Sequence, residues 1–430
     1  MAQLLAQLSR LPAVVLLLAV GLAIGRAGFD IVDTESLGPV LEPLVSLLVG
    51  LILFDGGLNL RLAGRDLQRT VVQVVLVRAV LGFLAAVLLA HLLAGLAWPL
   101  ALVFGAIALA TGPTVVTPMV QQMGLRPSLA NVLEAEGLAL EPLGAVLALL
   151  LLQLAIGDLG SWQEVAGRLV LRLGGGVLIG SLAGWLLSEL LRRLLQGSER
   201  LDALALQLSL GVLFLLVGGC ETLLPESGLP AAVCAGVVVG LRLKSGASQL
   251  DDLIRQLALL AITVLFPLLA ADLSWSELSP LGLGGVVCVL VLMLCRWPVI
   301  QVAGLGLPGL GWREKLMLSW IAPRGIVTAA VASLFALRLD EAQVPGGGAL
   351  KGLVFLTILL TVGLQGFTAA PLARRLGLVE PASETVAEAE AGSAAGSEAG
   401  SEVGRDVGSE AALQACDGLA VGLEQQQGGH

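Results

Sequence analysis

The chain has no tyrosine, aromatic residues make up 4% of it, and only 13% of its 430 residues are charged. A soluble domain carries about a quarter charged residues. So few charges leave too little polar side chain to cover a water-facing surface, which excludes an ordinary soluble enzyme. Histidine is almost missing as well: His91 and His430 are the only two, and neither lies deep in an apolar run. That argues against an intramembrane enzyme. Cys220, Cys234, Cys288 and Cys295 sit inside apolar segments and Cys416 near the C-terminus, without metal spacing or plausible pairing. Neither a disulfide framework nor a metal site is implied.

What the chain does hold is 57% hydrophobic residues, 55 glycines and a mean hydropathy of +0.93. Runs such as Leu143 to Leu154 and Val286 to Leu294 carry no charge. About a dozen stretches approach the roughly 20 apolar residues that cross a bilayer as a helix. They are apolar on every face, where a transmembrane barrel strand would alternate. The expected fold class is therefore an all-α polytopic membrane protein with about 12 transmembrane helices, near residues 9–26, 37–60, 71–93, 98–121, 128–154, 167–191, 201–220, 228–241, 253–271, 279–304, 314–337 and 350–373. Residues 1–25 read as a first span rather than a cleaved leader. Trp98, Trp162, Trp275 and Trp312 fall near expected span ends, where an interfacial belt places them.

The net charge of −9 belongs to one end of the chain. Residues 380–430 hold ten acids and one base, so residues 1–379 are neutral. The expected organisation is a transmembrane domain over 1–379 followed by an acidic, low-complexity, disordered tail over 380–430. Between the spans the charges alternate. One set of connections carries Arg61, Arg65, Arg69, Arg126, Arg192, Arg193, Arg242, Lys244, Arg313, Lys315, Arg374 and Arg375, and the other carries Asp30, Asp33, Asp158, Glu164, Glu221, Asp272, Glu277, Asp340 and Glu341. Basic connections stay on the cytoplasmic side, which places both termini inside and makes the span count even.

Ionisable residues inside spans are costly unless paired or hydrated, so they mark function. They are Asp55 in span 2, Glu134, Glu136 and Glu141 in span 5, Arg296 in span 10 and Arg324 in span 11; Arg78 in span 3 is near enough to the boundary to snorkel. Glu136 and Arg296 lie at matching depth and are expected to pair. Asp55 and Arg324 are expected to pair as well, across a depth mismatch of about 7 Å at 1.5 Å per residue that an interrupted helix would shorten. Glu141 is near the midplane with no basic residue at its depth, which suits a group that binds and releases a proton. Two spans carry helix breakers at mid-depth, Ala110-Thr111-Gly112-Pro113-Thr114 in span 4 and Ala322-Pro323-Arg324-Gly325 in span 11. Paired interruptions in the two halves of a membrane protein point to a transporter's binding site. Carbonyls freed near Thr111 offer hard oxygen ligands to a small cation.

These residues resemble the monovalent cation/proton antiporters, in the branch of bacterial sodium/proton antiporters that includes the animal sodium/proton exchangers. Leu53-Phe54-Asp55-Gly56-Gly57-Leu58 is similar to the family's Phe-Glu-Gly-Gly-Leu. Glu136 and Glu141 are spaced like the Glu that precedes the family's ion-binding Asp by five positions. Arg296-Trp297-Pro298 resembles the arginine that partners that Glu, Ala322-Pro323-Arg324-Gly325 the break of the penultimate span, and Gln365-Gly366-Phe367-Thr368 the last-span Gln-Gly-Leu-Thr. Thr111-Gly112-Pro113 stands where Thr-Asp-Pro is common, and a bacterial branch with Thr-Gly-Pro-Thr-Val-Val is nearer. Glu141 departs from the family's Asp, moving the carboxylate outward by about one C–C bond.

The resemblance implies an inverted-repeat antiporter fold with broken helices in spans 4 and 11, alternating access and a homodimer in the cell membrane. It implies exchange of Na⁺ or a similar monovalent cation for protons, without a cofactor. Glu141, Thr111 and Thr114 would form the ion site with Glu136 beside it, and Glu136–Arg296 and Asp55–Arg324 would be structural pairs. The expected partners are monovalent cations, protons and lipid, with no nucleic acid. A sodium-coupled organic-anion symporter of the same fold, a channel and a transport-dead sensor remain as alternatives.

Overall fold

The computed structural model describes residues 13–31, 41–60, 65–195, 202–243, 248–307 and 310–379. The expectation of a disordered tail falls on residues outside these. Within them the fold is helical throughout its spans: α1 Ala13–Ile24, α2 Leu41–Asn59, α3 Arg65–Val77, α4 Phe83–Leu92, α5 Trp98–Leu109, α6 Pro113–Met123, α7 Pro127–Ala155, α8 Trp162–Leu195, α9 Asp202–Leu223, α10 Gly228–Arg242, α11 Ser248–Ala271, α12 Trp275–Leu278, α13 Gly282–Ala303, α14 Trp312–Trp320, α15 Ile326–Glu341 and α16 Gly347–Leu376. Among the described residues, eight helical stretches are long and apolar enough to cross a membrane, and three shorter apolar helices accompany them.

The punctuation is legible locally. Trp98, Trp162, Trp275 and Trp312 each open a helix and are exposed. Pro99, Pro113 and Pro127 stand in the first helical positions of α5, α6 and α7, where proline's missing N–H costs nothing. Gly124 and Gly377 close α6 and α16 in the left-handed conformation, at φ 62° and 68°. Pro142 does not interrupt α7, a helix of 29 residues that runs unbroken through it.

Layering follows burial. The α5–α6 stretch is the most enclosed, with 89% of its apolar window buried, whereas the corresponding figure for α8 is 22%. The peripheral helices approach through small residues. Gly176, Gly180 and Gly184 recur every four residues along α8 and lie against Pro230, Ala231 and Ala235 of α10, where a Cβ would overlap the neighbouring chain.

Three departures from regular helix position the site. The α5–α6 stretch unwinds at Ala110–Gly112, and the α14–α15 stretch unwinds at Ile321–Gly325. The two unwound segments touch: Gly112 N–H donates to the Pro323 carbonyl at 3.3 Å, and a Cβ on either Gly112 or Gly325 would run into the other's backbone. Only glycine at both positions lets the segments cross this closely. The third departure is a π-helical turn, Arg78–Gly82, between α3 and α4. Such turns cluster at functional sites, and this one opens with Arg78.

Candidate ion-binding site

Long helix α7 passes beside the crossing and brings two acids to it. It fits closely because Gly137 faces the Thr111 carbonyl, with a Cβ position 3.1 Å away, and Gly144 faces the Ala106 carbonyl at 2.8 Å. Glu136 immediately precedes Gly137 and Glu141 lies between the two glycines; both acids are buried, five residues apart and so on different faces of α7.

Glu141 is 0% exposed, and neither of its carboxylate oxygens has a hydrogen-bond partner. The Thr114 hydroxyl, also buried, is likewise unpartnered. Both flank the gap at Gly325, whose Cβ position would lie 2.9 Å from Thr114 Oγ1 and 3.2 Å from Glu141 Oε1. The N-termini of α6 and α15 begin at this point, immediately after Gly112 and Gly325. Helix N-termini present free N–H groups and about half a positive charge each, a setting that favours a carboxylate.

Glu136 has the opposite surroundings. Arg296 Nη2 donates to its Oε2 at 3.0 Å, as the matched depths led one to expect. Its other oxygen, Oε1, accepts from Arg78 Nη1. Arg78 therefore does not snorkel: it is 3% exposed and also reaches Thr111 Oγ1 at 3.4 Å and the Leu109 carbonyl at 3.3 Å. The π-helical turn carries it inward, a local winding that counting depth along a regular helix does not register.

The expected pairing of Asp55 with Arg324 does not form. Arg324 Nη1 donates to the Ala110 carbonyl at 3.2 Å, while its backbone N–H donates to Thr361 Oγ1. Asp55 accepts from Asn59 Nδ2 at 2.9 Å, one helical turn on, and Arg255 Nη2 bonds Asn59 Oδ1 at 2.9 Å. The reason is the break itself. Unwinding α5 frees its terminal carbonyls, and an arginine on the second unwound segment satisfies them. The same logic places Arg296 Nε on the Leu318 carbonyl at 2.9 Å, near the end of α14. Each half-helix C-terminus at the crossing thus has a guanidinium against it, and each N-terminus faces Glu141 and Thr114. Sequence reasoning missed Thr361 of α16 and marked Gln365 only as part of a motif; they receive the Arg324 and Ala322 N–H groups of the second break.

A cavity of about 210 Å³ leads to this place. Asp55, Asn59, Thr117, Glu134 and Arg255 line it, and Thr114 lies in its wall. Among the described residues, no cluster of three or more His, Cys, Asp or Glu side chains is arranged to hold a resident metal.

Two crossed helix breaks around a buried carboxylate define a secondary transporter, and the chain is an integral, multi-pass membrane protein. It belongs to the sodium/hydrogen exchanger family, whose transmembrane model matches residues 1–375. It is 26% identical over 393 residues to the Na⁺/H⁺ antiporter ApNhaP of Aphanothece halophytica, covering 86% of this chain and 70% of that one. Na⁺/H⁺ antiporter 1 of Methanocaldococcus jannaschii is 25% identical over 397 residues, covering 86% and 92%. The solved structure of the M. jannaschii sodium proton antiporter MjNhaP1 superimposes with a TM-score of 0.74 at 24% identity, covering 86% of this chain and 94% of that one.

Proposed function

We propose that the protein exchanges a monovalent cation, Na⁺ first among them, for protons, with Glu141 binding the two alternately. The observation that carries this is the Glu141 carboxylate, buried without any hydrogen-bond partner beside the equally unpartnered Thr114 hydroxyl. An ionised carboxylate isolated from water costs several kcal/mol. Taking up a proton or a cation removes that charge, and the two loads compete for the same oxygens. This competition couples the opposing fluxes. The N-termini of α6 and α15 steady the carboxylate in the interval between loads.

Thr114 is assigned to the cation shell together with Glu141. The Thr111 hydroxyl faces Arg78, so its part is to fix the break, with its carbonyl the more suitable oxygen for a cation. Glu136 is held on both oxygens by arginines, which leaves Glu141 as the acid assigned to the exchange. The transported ions are cargo, and no cofactor is required. In this reading the chain crosses the cell membrane twelve times as an inverted repeat, both termini are cytoplasmic, and the cavity past Asp55 and Glu134 is the inner vestibule. Alternating access moves the crossing between the two sides, in a homodimer. A sodium-coupled organic-anion symporter fits less well, because the relatives are antiporters and Glu141 is packed against the crossing with little room for an organic ligand.

The test is proton movement in everted vesicles on addition of Na⁺, K⁺ or Li⁺. Exchange by the wild type and its loss in Glu141→Gln support the reading. Exchange at the wild-type rate in Glu141→Gln refutes it.

A further inference from the structure

Arg78, Arg296 and Arg324 are 3%, 7% and 7% exposed, and all three line one cavity of about 40 Å³ that shares no lining residue with the cavity past Asp55 and Glu134. Arginine keeps its charge in proteins, so three positive charges meet there. The one carboxylate among them is Glu136. The half-helix C-termini of α5 and α14, on which the arginines donate, contribute roughly half a negative charge each. About one positive charge is left without compensation. Glu141 does not supply it, because with either a proton or a cation bound its carboxylate is neutral.

The hydrogen bonding shows the same deficit. Arg296 Nη1 and Arg324 Nε are buried and have no acceptor. Each is a charged donor in a low-dielectric interior, where an unmet bond is most costly. Thr361 and Gln365 of α16 complete the wall. The volume accommodates roughly three waters, at about 10–15 Å³ for each, which is enough for one halide and too little for a phosphate bearing a lipid.

We propose that this cavity binds one chloride-sized monovalent anion, held by the guanidiniums of Arg78, Arg296 and Arg324. The anion offsets the residual charge and accepts from the two unsatisfied donors. By locking the arginines onto the carbonyl ends of the broken helices it steadies the crossing on which the ion site is built. Anion occupancy and folded-state stability are therefore linked.

The experiment is equilibrium binding of radiolabelled chloride to the purified full-length protein, alongside thermal unfolding in sodium chloride and in sodium gluconate at the same Na⁺ concentration, ionic strength and pH. Neither readout requires transport, so this proposal fails or stands separately from the assignment of Glu141. The wild type should bind about one chloride per chain and unfold at a lower temperature in gluconate. Gln365→Glu keeps an acceptor for the Ala322 N–H and installs an anion in the cavity wall. Its chloride binding should weaken at least about tenfold, since a fixed like charge in contact opposes the ion, and its unfolding should become insensitive to the choice of anion. Absence of chloride binding together with identical wild-type unfolding in the two salts would mean that water alone fills the cavity, and would overturn the proposal. So would undiminished binding in Gln365→Glu, which would place the anion elsewhere. Should that variant fail to fold, the wild-type pair of measurements still decides.

Discussion

Replacing Glu136 with Gln separates the acid held by arginines from the acid proposed to exchange its load. The side chain keeps its shape and volume but loses the charge that two buried guanidiniums share. Truncating one partner of a buried pair costs about 3–5 kcal/mol, because the survivor is left as an uncompensated charge. Here two cations lose the same partner, with Arg78 and Arg296 only 3% and 7% exposed, so the cost should be at or above the upper end of that range. Each 1.4 kcal/mol is a factor of about ten in the folding equilibrium, and natural stabilities total about 5–15 kcal/mol. The variant should therefore show a steep loss of monodisperse protein on size-exclusion chromatography after mild heating. Glu141→Gln is the matched control, since it removes a buried carboxylate that has no partner and should melt at or above the wild-type temperature. If Glu136→Gln were as heat-stable as Glu141→Gln, the division of labour between the two acids would be wrong.

Four further outcomes follow from other parts of the molecule. Glu141→Asp should retain cation-driven proton movement and change the order of preference among Li⁺, Na⁺ and K⁺, because withdrawing the carboxylate by about one C–C bond alters a small coordination shell; fluorescence-detected proton movement in everted vesicles would show it. Gly112→Ala should lower both folded yield and exchange, since the added methyl meets the backbone of Gly325, and overpacking of this kind costs about 1–3 kcal/mol; a wild-type melting temperature and exchange rate would contradict the close crossing. Lys351 lies 2.9 Å from both Asp272 and Glu277 and is 7% exposed, so Lys351→Met should destabilise by about 1–3 kcal/mol in thermal unfolding, the loss being limited because Asp272 keeps the Ser333 hydroxyl and Glu277 the Ser274 N–H. Deleting residues 380–430 should leave maximal exchange unchanged. Any rise it causes in the half-saturating cation concentration should vanish near 0.15 M salt, where the Debye length is about 8 Å.

What could be read without coordinates divides along a physical line. Apolar length, basic and acidic alternation, Gly112-Pro113 and Pro323-Arg324-Gly325 are local properties of the chain, and from them came the helices, the ends marked by tryptophan and both interruptions. The pairing of Glu136 with Arg296 was legible for a related reason, because depth along a straight helix is simple counting. Depth alone misassigned Arg324 and Arg78. A guanidinium has two kinds of acceptor in a membrane interior, carboxylates and freed backbone carbonyls, and counting acids against bases sees only the first. Once α5 and α14 are interrupted, their last carbonyls need donors as surely as Glu136 does, and Arg324 and part of Arg78 and Arg296 go to them. The lesson bears directly on the proposed ion site. With the carbonyl ends of both half-helices occupied by arginines, the crossing presents its positive N-terminal ends to Glu141, the buried acid that no arginine holds and the one to which the exchange is assigned by proposal.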